Sequence, residues 1–168
     1  MRAYLDIETT FANTISVIGI YRPDRGTTQL VGGGIRDTAL FDALEGITTI
    51  VTFNGASFDL PFIRKSLYVD LKQAFDHCDL MYVCRKLGLR GGLKKIETLV
   101  GITRDTAGLT GYDAPRLWQR YENYNNRDAL RVLLEYNRED VVNLAVLEDK
   151  IGLVAHPTTH AAVQQLFE

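Results

Sequence analysis

The sequence predicts an α/β fold: a mixed sheet of about five strands, the first three antiparallel, with helices on both faces. Three patterns carry that expectation. Apolar and polar residues alternate over 3–8, two further strand-like runs flank the turn Pro23-Asp24-Arg25-Gly26, and residues 127–151 keep a helical stripe of apolar side chains. At 168 residues, 46% of them apolar, the chain can bury one substantial core and is short for two domains of ordinary size. A single domain over 1–168 is therefore expected, with 152–168 as a loosely packed tail.

In residues 3–8, Ala3, Leu5 and Ile7 point one way and Tyr4, Asp6 and Glu8 the other, because successive strand side chains alternate. Both acids share a face. Residues 15–22 and 27–31 read as the two strands of an antiparallel hairpin. Gly32-Gly33-Gly34 then interrupts the pattern, Asp37 or Thr38 caps a short helix through Leu44, and Thr48 to Phe53 forms a buried strand. A polar loop at Asn54-Gly55-Ala56 leads into helical spacing from Ser57 to about Val69, where Pro61 is tolerated because it falls near the helix start. Helices are expected over Asp79–Leu87 and Leu93–Val100, separated by Gly88 and Gly91-Gly92. The stretch 101–126, rich in Gly, Tyr and Asn, holds one short helix from about Asp113 to Tyr121. From Arg127 to Ile151 a long amphipathic helix aligns Ala129, Val132, Leu133, Tyr136, Asp140, Asn143, Leu144 and Leu147 on one side. An acid thus stands in its inward stripe, and the acids are expected at the sheet's edge and on the helix facing it.

Composition narrows the function. No apolar run approaches the roughly 20 residues that cross a bilayer, and Asp6 falls where a signal peptide would continue its apolar stretch. No membrane association is expected, and the cytoplasm is the expected location. Cys78 and Cys84 have neither the paired spacing of a zinc site nor the density of a disulfide scaffold, so both read as reduced thiols. A net charge of −2 argues against nucleic acid held on a broad basic surface. It argues less against a strand gripped at its end through divalent cations, which are the largest local positive charges in such a site.

Magnesium or manganese prefers carboxylate oxygens, keeps water ligands, and needs several acids converging on one point. Asp6 and Glu8 supply a first pair, although an Asp-x-Glu on a strand also arises from plain surface solvation. Asp59 lies within Phe53-Asn54-Gly55-Ala56-Ser57-Phe58-Asp59-Leu60-Pro61-Phe62-Ile63, whose apolar residues bury its surroundings. A buried carboxylate needs a partner or a metal. Asp140 has the same anomaly, one turn beyond Tyr136 and about 6 Å along the helix axis from it.

These residues resemble the DEDD superfamily of 3′→5′ exonucleases, which includes polymerase proofreading domains. The Asp-x-Glu of its first motif is matched by Asp6-Ile7-Glu8-Thr9-Thr10, the second by Asn54-Gly55-Ala56-Ser57-Phe58-Asp59, and the third by Tyr136-Asn137-Arg138-Glu139-Asp140. The segment from Cys78 to Leu87, followed by Gly92 to Leu99, is similar to the helical stretch between motifs two and three. The resemblance covers about residues 3–150. A histidine subtype would carry His five residues before Asp140, where Glu135 stands, whereas the tyrosine subtype carries Tyr four before, where Tyr136 stands. It implies a ribonuclease H-like domain and a metal-dependent 3′→5′ exonuclease acting on a single-stranded 3′ end of DNA or RNA with two divalent cations, Mg or Mn. One metal, held by Asp6, Glu8 and Asp140, would orient the attacking hydroxide. The second, held through Asp6 and the phosphate, would stabilise the leaving 3′ oxygen, with Asp59 binding mainly through ordered water and Tyr136 orienting the nucleophilic water. Glu8 and the backbone near Thr9 would meet the terminal 3′ hydroxyl, and Asn54 and Phe58 the end of the strand.

Other residues carry two readings each. Phe58 is either a stacking platform for a base or a core aromatic under its helix. Arg85, Lys86, Arg90, Lys94 and Lys95 either meet a nucleic-acid backbone or form a solvated helical face. Asp79 reads as a helix cap rather than a ligand, Gly32-Gly33-Gly34 as turn geometry, and His77, His156 and His160 as lacking the partners of a zinc site. Two rivals to the exonuclease stay open: a ribonuclease H-like endonuclease, and an inactive module of the same fold that binds nucleic acid or protein.

Overall fold

In the computed structural model, which describes residues 1–155, the alternation at the start becomes β1 (Arg2–Thr9), followed by β2 (Ile15–Arg22) and β3 (Gly26–Val31). β1 pairs with β2 and β2 with β3, both antiparallel. Gly26 closes the hairpin turn at φ +78°, a left-handed backbone in which a Cβ would be strained. The chain continues through α1 (Asp37–Ala43), β4 (Thr49–Thr52), α2 (Asp59–Leu67), α3 (Leu71–Ala74), β5 (Asp76–Asp79), α4 (Leu80–Lys86), α5 (Leu93–Leu99), α6 (Asp113–Tyr124) and α7 (Arg127–Ala155). β4 runs parallel to β1 and β5 parallel to β4, giving a mixed five-stranded sheet in the order β3-β2-β1-β4-β5.

The period-two pattern of β1 sorts two apolar layers. Ala3, Leu5 and Ile7 join Ile18, Ile20 and Ile50 under α1, α2 and α3, with Leu40, Ile63 and Leu71 closing that side. Tyr4 and Val51 face the other way, toward Leu80 and Cys84 of α4, Ile96 of α5, and Leu144 and Leu147 of α7. Val17, Trp118 of α6 and Leu133 of α7 extend this second layer. Helices therefore cover both faces, as a sheet with two apolar faces requires. The rim is fastened by Arg22, 2% exposed, which donates to the carbonyls of Ala43, the last residue of α1, and Glu45 just beyond it, and pairs with Asp24. A cation there satisfies carbonyls left open at the end of a helix.

Several elements differ from the sequence reading. β1 is the middle strand, so Asp6 and Glu8 stand near the end of the sheet's central strand and not at its edge. β5 and α3 are additional: Asp76-His77-Cys78-Asp79 has no apolar alternation, and it is a strand because Thr49 to Thr52 pair with it. The cap of α1 is Arg36, with no side-chain cap bond; Asp37 is the first helical residue and accepts from the Thr38 N–H at 2.7 Å. α6 runs on to Tyr124, where Asn125 adopts a left-handed φ of 48°. α7 continues through Ala155, past Gly152 where a tail was expected. The remainder of that tail, with His156 and His160, lies outside the described residues. No helix among the described residues is long and apolar enough to cross a membrane.

Candidate metal centre

β1 outlasts its parallel neighbour. Its pairing with β4 ends at Tyr4, opposite Val51, while its pairing with β2 continues to Thr9 through a bulge between Glu8 and Thr9. The last residues of the central strand thus have one unpaired edge. Asp59, in the first turn of α2, fills it: its Oδ1 accepts from the Ile7 N–H at 2.9 Å, inside the protein. Asp79 holds the preceding loop. As the N-cap of α4 it accepts from the Met81 N–H, and it also accepts from the N–H groups of Asn54 and Ala56 at 2.7 and 3.1 Å. Asn54 can enter this turn because Asn tolerates its left-handed φ of 65°.

α7 crosses the face that carries Asp6 and Glu8. Close approach depends on Gly19 of β2, directly opposite Asp6, where a Cβ would overlap the Asn137 carboxamide. Asn137 is fully buried, donates to Asp6 Oδ2 at 3.2 Å, and accepts from Gln29 Nε2 at 3.0 Å. One turn along, Asp140 reaches the same place. Asp6, Glu8 and Asp140 each offer a carboxylate oxygen within 4.8 Å of the others. Tyr136 lines a cleft of about 330 Å³ with Asp6, Asp140, Phe53, Lys94 and Lys95.

Asp59 stands outside that trio, its oxygen engaged by the strand. Thr9 is half-buried at the bulge, and Asn54 is exposed. Phe58 is 40% exposed and packs on Phe62 with ring centres 4.8 Å apart, so it is no core aromatic, and Phe53 is an aromatic residue in the lining of the cleft. Of the basic stretch, Lys94 and Lys95 border the cleft, and the Lys94 ammonium lies 4.2 Å from the centre of the Tyr136 ring. Cys78 and Cys84 are both free thiols, and burial pushes Cys84 up to about 11.

The electrostatics are those of crowded acids. Burial, then Asp140, Asp59 and Glu8, holds the Asp6 carboxyl well above the ordinary carboxylate range, and burial with Asp140 and Asp59 does the same to Glu8. Burial brings Asp59 up to about 7, against the lowering effect of the Ile7 N–H. Asp140 is raised by burial and held back by Arg104. Burial also raises the Tyr136 phenol, which keeps its proton at neutral pH. One oxygen tests the fit of a cation directly: Glu8 Oε1 is buried with no hydrogen-bond partner, a costly state unless a cation is its partner. Three convergent carboxylates, with no sulfur or imidazole, suit a hard divalent ion such as magnesium or manganese. The donor set fits.

Four participants were invisible in the sequence. Asn137 sits at one of the unspecified positions between Tyr136 and Asp140, where a polar residue reads as surface. Glu97 and Arg104 form a buried ion pair at 2.9 Å, and Arg104 also pairs with Asp140. Glu139 accepts from the N–H groups of Asp105 and Thr106 and from the Thr106 hydroxyl, tying loop 101–112 to α7. That loop has no period, so nothing in its composition announces what it delivers.

A mixed sheet with three antiparallel strands leading, and acids at the end of the central strand facing a late helix, defines a ribonuclease H-like architecture. The chain belongs to the RNase_H superfamily, whose family model matches residues 3–152. It is 30% identical over 168 aligned positions to the uncharacterized protein YprB of Bacillus subtilis (strain 168), an alignment that takes in 86% of this chain and 40% of that protein. The chain thus spans well under half the length of that relative. Among solved structures it is similar to the family B DNA polymerase from the hyperthermophilic archaeon Pyrobaculum calidifontis, with a TM-score of 0.67, 15% identity, and coverage of 89% of this chain and 24% of that one. At that identity the likeness speaks for the fold.

Proposed function

We propose that this chain is a metal-dependent 3′→5′ exonuclease of the tyrosine DEDD subtype, which hydrolyses phosphodiester bonds at a single-stranded 3′ end of DNA or RNA. The observation that carries the reading is the convergence of the Asp6, Glu8 and Asp140 carboxylates, beside a cleft lined by Asp6, Asp140 and Tyr136, one turn before Asp140. Membership of the superfamily supports it. The motif resemblance supplies the polarity.

Asp6, Glu8 and Asp140 would hold two magnesium or manganese ions, with Asp59 joining through water. When bound, such a pair activates water and neutralises charge on the phosphoryl and leaving oxygens. The chain's own residues then do the positioning. Asn137 fixes the Asp6 carboxylate, with its own carbonyl fixed by Gln29. Tyr136, kept neutral, orients a water through its hydroxyl without taking its proton. Lys94, resting on the Tyr136 ring, puts a cation where a phosphate would enter. Thr9 and Phe58 lie nearby in sequence to Glu8 and Asp59 and would meet the terminal nucleotide, with Asn54 shaping the loop between.

Incubation with 3′-end-labelled single-stranded DNA and RNA, in magnesium, manganese or chelator, tests this reading. Mononucleotides released from the labelled end only with metal present are expected. Internal cuts in a circular substrate would favour an endonuclease and sink the proposal. Asp6→Ala separates enzyme from binding module: a nuclease loses turnover, and a module that retains its partner while the wild type degrades nothing is no enzyme.

A further inference from the structure

Loop 101–112 carries a cation into the acidic cluster from outside every motif described above. Arg104 has a side chain only 7% exposed and pairs with two carboxylates at once, Asp140 of α7 and Glu97 of α5. Glu97 is 1% exposed, and among the described residues Arg104 is the cation within ion-pair range of it, at 2.9 Å. The guanidinium carbon also lies 5.7 Å from the centre of the Tyr136 ring. A lone positive charge beside a cation-binding carboxylate would repel the incoming ion. Glu97 cancels that charge. Arg104 donates from Nη2 to Asp140 Oδ1, while its contact with Glu97 is a pairing of charges without hydrogen-bond geometry.

The loop has other fastenings. Glu139 holds Asp105 and Thr106, and Lys94 donates to the Leu109 carbonyl, so Arg104 is not needed merely to tie it down. What Arg104 alone does is fill one side of Asp140, the member of the trio that comes from a different element than Asp6 and Glu8. We propose that Arg104, anchored on Glu97, is a positioning residue for Asp140: it holds that carboxylate facing Asp6 and Glu8, so that the trio is assembled before a divalent cation arrives. The inference rests on the metal reading of the cleft and adds to it two residues that touch neither metal nor substrate.

The test is metal affinity, read without turnover. Chelator-stripped full chain is titrated with manganese or magnesium chloride while the melting temperature is followed, for wild type, Arg104→Gln, Arg104→Lys and Glu97→Gln. Arg104→Gln should raise the metal concentration at the midpoint by about tenfold or more, the usual scale for a residue that orients a ligand. Arg104→Lys keeps the charge but loses the planar guanidinium that spans the two acids, and should also raise it. Glu97→Gln leaves the Arg104 charge unbalanced and should move the midpoint the same way. In turnover assays the Arg104→Gln defect should lie in kcat and shrink as manganese is increased. An unaltered midpoint would make Arg104 a brace for the loop and overturn the inference. A lowered midpoint would make it a plug that competes with the cation, and would overturn it equally. Should Arg104→Gln fail to fold, the lysine and Glu97 variants decide by the same criterion. A wild-type protein whose melting ignores metal would overturn the metal reading itself, an outcome distinct from a wild-type response that the variants share.

Discussion

At the scale of single residues, the site is a problem of charge. Acids that burial and mutual repulsion push above the ordinary carboxylate range are costly to ionise, and a cation among them would relieve that cost. For Asp59 the sign is explicit. Its carboxyl titrates at about 7 in the folded protein against an ordinary value of 3.8. Relative stability from this group is therefore complete below about pH 4 and is lost as pH rises toward 7. In chelator, the melting temperature of the wild type minus that of Asp59→Asn should fall across that window; a difference that is flat or rising would contradict the burial of an ionisable group there. Tyr136 makes a second prediction. Tyr136→Phe keeps the ring under Lys94 and removes the hydroxyl, so kcat should drop by about a hundredfold while the midpoint of metal binding stays put. An unchanged kcat in a single-turnover assay would remove Tyr136 from the chemistry.

At the scale of elements, two close fits govern the site. α7 lies against β2 because Gly19 leaves room for the Asn137 carboxamide. Gly19→Ala should destabilise by about 1–3 kcal/mol through overpacking and free the Asp6 carboxylate from its donor; a denaturant midpoint equal to that of the wild type would show that the two backbones are not in contact. The second fit is Asp79, which serves α4 and loop 54–58 together. Asp79→Ala leaves three N–H groups without their acceptor and should lower stability by about 2 kcal/mol or more, beyond the loss of a simple cap. Urea unfolding of the alanine variant beside Asp79→Asn, which retains an acceptor, measures the difference. The cap reading of Asp79 came from the resemblance, in which an acid at that place begins a helix. Its grip on the loop bearing Asn54 did not, because a side chain's second and third partners depend on where a distant backbone passes.

At the scale of the whole molecule, the sheet order is what assembles the cluster. β1 lies centrally, so its last turn of residues meets α2 from one layer and α7 from the other, and cations should stabilise the chain as a whole. With metal at a hundred times its Kd, the linkage is about 2.7 kcal/mol, which for a chain of this size raises the melting temperature by about 5–10 °C. Calorimetry with and without manganese checks it, and coincident transitions would count against bound cations. The wild-type chain should respond more than Asp140→Asn.

By itself the sequence determined the first hairpin, the buried β4 run and the long α7 stripe, because apolar periodicity is written locally and each of those elements is long or regular enough to show it. It also marked Asp59 and Asp140 as acids standing among apolar neighbours, while the motif resemblance singled out Asp6, Glu8 and Tyr136 beside them. Only the tertiary structure decided that β1 is central, that four non-alternating residues become β5, that Phe53 lines the cleft, and that Arg104, Glu97 and Asn137 share the site. Those outcomes depend on strand pairing and on which loop lies against which helix. Such contacts join residues far apart along the chain, and no local pattern encodes them.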